Sequence, residues 1–276
     1  MSRQSRTTSE KNRDIIRTIA LMNHLAKRVD ANNPHQFAKW YDGQQTAENR
    51  ATTVGSGKWA KNFKGQVSLK NEQLELLSGL FPDAWQYYQN GPADLWKALW
   101  ADPRELWALC RTRYCDDGPE YDDRIWEMFE DERLLRNERS LEKAMAEFEG
   151  ELLLAEQYGE SFTLRHLTEA IALCRLHRFI NDVVKTEADG SGIYRCIRIC
   201  LNDLNVWGEL FRLGVVHRVY NVLANMESQY LSTDESYRLM VGVELHQIDS
   251  YIDNPLEWIS SKYRWKALAQ KLDWVT

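Results

Sequence analysis

Apolar residues recur at about three- to four-residue spacing along most of the chain, and sustained strict alternation is absent. The first such run holds Ile15, Ile16, Ile19, Ala20, Met22, Leu25 and Ala26, which predicts a helix opening near Ser9 and ending at Ala31-Asn32-Asn33-Pro34. HQFAKWYD reads as a short helix, and GQQTAENRATTVGSG as a loop or a weak one. KWAKNFKG predicts a helix of about two turns, with Trp59 and Phe63 on one face and Lys58, Lys61, Asn62 and Lys64 directed away from it. Gly65 suits a left-handed C-cap, and Ser68 can cap the next helix, for which Leu69, Leu76, Leu77 and Leu80 supply the expected buried face. Phe81-Pro82 stops it.

DLWKALWADPRELWAL predicts two short helices separated by Asp102-Pro103. The acidic stretch RTRYCDDGPEYDDR that follows is the best candidate boundary in the chain. Beyond it Leu141, Ala144, Met145, Phe148 and Leu152 share one helical face. Leu164, Leu167, Ile171, Cys174, Ile180 and Val184 predict a central, largely buried helix. After a turn at 187–192, helices are expected over about 193–206, 207–229, 233–250 and 254–271. IYRCIRICL could be a strand by β-propensity, but its flanks favour helix. The expected fold is therefore all-α: a small basic N-terminal helical module over 1–115, followed by a larger helical bundle over 120–276.

Charge sharpens this division. The formal net charge is -6, but residues 1–70 carry 13 Lys+Arg against 5 Asp+Glu, residues 71–160 carry 9 against 22, and residues 161–276 carry 13 against 14. A basic head and an acidic middle point to different partners for different parts. Lysines on one helix face attract phosphates irrespective of sequence, and Asn62 and Gln66 could reach base edges. Arg3, Arg6, Lys11 and Arg13 could form a flexible basic arm. Around residues 44–82 the chain resembles the end of a helix-turn-helix domain of the Cro/repressor type, in Trp59, Gly65, Ser68 and Leu76. It departs from that pattern upstream, where no Gln-x-x-x-Leu-Ala stretch stands, and in a longer Trp-to-Gly spacing. The resemblance implies DNA binding by the head, with the bundle serving oligomerisation or partner contact. The alternative is a helical scaffold without nucleic-acid binding that offers Trp96, Trp100 and Trp107 to a protein partner.

Other chemistry changes the picture little. The 5 cysteines are odd in number and form no CxxC pair, so a disulfide framework is not expected and a reducing, cytoplasmic setting is. Cys196 and Cys200, with Cys174 and His166, read as packed side chains rather than a zinc site, and Asp116, Asp117, Glu120, Asp122 and Asp123 as a solvated loop rather than a cation site. No phosphate-binding, nucleophile-elbow or zinc-protease motif occurs; His217 or His246 could act as a base, but each reads as a satisfied, partly buried histidine. Neither an enzyme nor a bound cofactor, metal or membrane is expected.

Overall fold

The computed structural model describes residues 6–44, 52–111, 138–184 and 191–253. These are helical, and no strand occurs among them. The all-α expectation therefore stands. Contacts divide the chain into two compact units, Met1–Pro92 with Glu209–Arg218, and Ala93–Gly208 with Val219–Thr276.

In the first unit, α1 (Thr8–Arg28) opens two residues earlier than a Ser9 N-cap would place it. Thr7 is the N-cap: Glu10 N donates to Thr7 Oγ1 at 3.2 Å, and Thr7 N donates to Glu10 Oε2 at 2.7 Å. Lys11 and Arg13 thus stand in a helix rather than a loose arm. α2 (Pro34–Gln44), α3 (Lys58–Phe63), α4 (Asn71–Leu80) and α5 (Ala84–Asn90) follow. Leu21, Met22, Leu25, Phe37, Tyr41, Trp59, Leu74 and Leu77 share one core. The buried face of α4 is Leu74 and Leu77, whereas Leu76 and Leu80 are exposed. Lys70, not Ser68, is the cap residue of α4, and its N–H donates to Gln73 Oε1.

In the second unit, α6 (Leu95–Trp100) and α7 (Pro103–Arg111) pack against α9 (Leu164–Val184). These helices therefore belong with the bundle, whereas a division at 115 would join them to the head. The acidic stretch expected as the boundary lies outside the described residues, as does the helix expected at 254–271. α8 (Glu138–Gln157) and α10 (Ser191–Asn202) also pack on α9, whose run Ala170–Cys174 is fully covered. The α9 guanidinium of Arg175 donates to Ala98 O and Ala101 O, each at 2.8 Å, and satisfies carbonyls at the C-terminal end of α6.

The later helices break where the apolar pattern runs on. Asp203 separates α10 from α11 (Leu204–Arg212), its Oδ1 accepting from Asn205 N and its Oδ2 from Phe162 N. Gly214, at φ +70, closes α11 before α12 (Val216–Thr233), with Val215 N donating to Leu210 O. Gly242, at φ +72, closes α13 (Glu235–Val241), and α14 (Ile248–Asp253) ends the described chain.

Candidate nucleic-acid interface

The lysine-bearing helix α3 is too short to hold itself, and its stability comes from its seat. Trp59 is 1% exposed. Its ring meets Phe37 edge-on at 5.7 Å between centroids and Tyr41 at 4.9 Å, and Phe63 meets Phe37 at 5.7 Å. The indole N–H donates to Thr53 Oγ1 at 3.0 Å. Thr53 Oγ1 in turn donates to Asp42 Oδ1 at 2.6 Å, while the Thr53 and Val54 amides donate to the same carboxylate. Burial alone would raise the Asp42 carboxyl, but the bonds from Thr53 and Val54 prevail and hold it below its ordinary value. One carboxylate of α2 therefore anchors both the approach to α3 and, through Thr53, its central tryptophan.

Beyond α3 the chain turns sharply. Gly65 N donates to Asn62 O, and Gln66 N to Lys61 O. Gly65 sits at φ +65, and a Cβ there would lie 2.6 Å from Ile19 Cδ1 and 2.8 Å from Ile15 Cγ2. Glycine is required both for the left-handed backbone and for the close approach to α1. Leu69 N then donates to Thr18 Oγ1 of α1 at 2.9 Å.

The candidate residues separate. Lys61, Lys64 and Gln66 are exposed on the outer side of α3 and its turn. Lys58 is half-buried, its Nζ 5.2 Å from the centre of the Trp59 ring. Asn62 corrects the sequence expectation: it is 2% exposed, and its Nδ2 donates to Val67 O at 3.0 Å. It lies three residues after Trp59 and so shares the buried face rather than the lysine face. Its amide is spent closing the turn. Arg6 is exposed but paired with Asp14 at 2.8 Å, and Arg3 lies outside the described residues.

The tryptophans offered to a partner are mostly interior. Trp96 is fully buried and Trp107 nearly so. Trp100 is half-buried and stacked on Trp96 at 5.4 Å. Burial of both flanking indoles makes this an aromatic core rather than a presented surface.

The second unit holds a polar centre that the sequence reading missed. Glu227 of α12 is 4% exposed. Its Oε1 accepts from Arg198 Nε of α10 at 2.6 Å and from the Tyr237 hydroxyl, and its Oε2 from the Tyr251 hydroxyl. The Arg198 guanidinium also lies 5.1 Å from the centre of the Tyr251 ring. Burial, then the Glu227 charge, pushes both tyrosines well above their ordinary value. Nearby, burial pushes the Cys174 thiol up to about 12. Perturbed groups of this kind often mark active sites. Here the carboxylate accepts three hydrogen bonds from donors of its own unit, and the cluster ties α10, α12, α13 and α14 together. Among the described residues no group of His, Cys, Asp and Glu could hold a metal ion, and no helix is long and apolar enough to cross a membrane.

No protein-family model matches the chain, and no curated protein or solved structure matches it significantly.

Proposed function

We propose that the first unit binds nucleic acid through its phosphate backbone, with Lys61 and Lys64 of the α3 segment as the principal contacts and Lys58 at its edge. One observation carries the reading. The first unit has 15 Lys+Arg against 9 Asp+Glu, while the second has 20 against 32, and the exposed lysines stand on a helix whose other face is locked in an aromatic core. The units are thus +6 and -12, and only the first has the charge to attract a polyanion. With Asn62 committed to Val67, Gln66 is the one remaining candidate of the stretch for a base edge. The reading that follows is binding largely independent of sequence. The protein-scaffold alternative loses Trp96 and Trp107 to the core.

The test is a salt titration of fluorescently labelled duplex DNA by anisotropy, comparing the wild type with a Lys58→Glu, Lys61→Glu, Lys64→Glu variant. The variant should bind every sequence more weakly and lose roughly one unit of the log-affinity against log-salt slope per contact removed. If the wild type shows no binding at low salt, or the variant keeps the wild-type slope, the lysines are a solvated face and the reading fails.

A further inference from the structure

We infer that Lys11 of α1 completes the phosphate-facing surface begun by Lys61 and Lys64, so that two separate chain segments grip the backbone. This rests on the nucleic-acid reading above and adds a contact to it.

The geometry turns on Gly65. Because it lacks a Cβ, the turn after α3 lies directly on Ile15 and Ile19, and the bond from Leu69 N to Thr18 Oγ1 continues the contact along α1. Lys11 is one turn before Ile15, on the same helical stripe, and it is exposed. Lys64 and Gln66, which flank Gly65, are exposed as well. The acids in this half of α1 are already engaged: Glu10 in the cap with Thr7, and Asp14 with Arg6. Among the described residues Lys11, Lys61 and Lys64 make no ion pair. The stripe from Lys11 to the Gly65 turn therefore presents cations whose charge is not cancelled by an ion pair. It is built on a helix of 21 residues rather than on an arm, so the contact costs little ordering on binding.

The test uses the full chain, a random-sequence duplex and three single variants, Lys11→Gln, Lys64→Gln and Lys39→Gln. Lys39 is an exposed lysine of α2 outside the stripe and serves as the control. Circular dichroism verifies that each variant is folded. Loss of one phosphate contact removes about 0.9 from the salt slope, which corresponds to roughly 15-fold weaker binding at about 50 mM salt and roughly 4-fold at about 200 mM. Lys11→Gln and Lys64→Gln should both show this loss, and Lys39→Gln should retain the wild-type slope. Loss with Lys64→Gln but not with Lys11→Gln overturns the two-segment surface and leaves the nucleic-acid reading standing. Equal losses in all three reveal diffuse attraction and overturn the surface as well. Absence of binding by the wild type overturns both.

Discussion

Arg198 Nε donates to Glu227 Oε1 at 2.6 Å in a site where the two side chains are 15% and 6% exposed. Charges this deep are costly to remove from water, and the pair persists because the Tyr237 and Tyr251 hydroxyls satisfy the rest of the carboxylate. Taking away one partner leaves the other charged and buried. Glu227→Ala should therefore destabilise the second unit by about 3–5 kcal/mol. Urea unfolding followed by circular dichroism measures it. A loss of under about 1 kcal/mol would mean that the pair is solvated and contributes little.

Buried tyrosines of the second unit set an alkaline limit. Tyr194, Tyr237 and Tyr251 all have folded-state values raised above the ordinary 10.0, with burial the largest cause. The unfolded chain releases these protons near the ordinary value, whereas the folded chain holds them. Their contribution to stability is therefore full below about pH 10 and declines as pH rises beyond it. Tyrosinate absorbance should lag behind that of a denatured sample and then appear together with loss of helix. Full tyrosine ionisation with the helical signal intact would contradict the burial of these rings.

Much of this fold is legible in the chain. The spacing of Ile16, Ile19 and Leu25 specifies α1, and that of Leu164, Leu167 and Ile171 specifies α9, because these positions are buried at helical period in both. Helix ends are less so. The apolar pattern continues through Asp203 and Gly214, where caps override it, although Asp and Gly are themselves cap signals. The lysine face was readable in Lys61 and Lys64. Asn62 was misplaced because Phe63 at i+4 suggested a narrow apolar face, while position i+3 from Trp59 is equally covered. The Glu227 centre could not be read from local pattern, since its partners lie 29, 10 and 24 residues away.

Backbone strain marks the start of the second unit. Ala93 has φ 48 and Asp94 φ 59, and neither is glycine. Ala93 O is held by the Thr168 hydroxyl at 2.9 Å, which fixes this turn against α9. A left-handed alanine costs about 1–2 kcal/mol, and glycine's extra unfolded-state freedom offsets about 0.5–1 of that. Ala93→Gly should stabilise the protein by about 0.5–1 kcal/mol and raise its Tm. Ala98→Gly, in the buried interior of α6, should lower it. An unchanged or lower Tm for Ala93→Gly would show that the turn relaxes in solution.

Cleavage within the acidic stretch, at Asp116–Asp123, tests how the second unit is assembled. If that stretch separated independent domains, a fragment beginning near Tyr121 would remain soluble and helical. The packing argues otherwise. α6 and α7 lie against α9, and Arg175 of α9 holds two carbonyls at the end of α6. Leu95, Trp96, Leu99, Leu106 and Trp107 are buried on those two helices, and without them their apolar partners on α9 face water. Each such side chain is worth about 1.5–3 kcal/mol on burial, so the loss is comparable with the whole marginal stability of a domain. The fragment should aggregate or bind a hydrophobic dye. A chain nicked in the stretch but retaining both pieces should keep its helix content and release them only in denaturant. A fragment from Tyr121 that stays monomeric, helical and dye-free would place α6 and α7 outside the core that α9 needs.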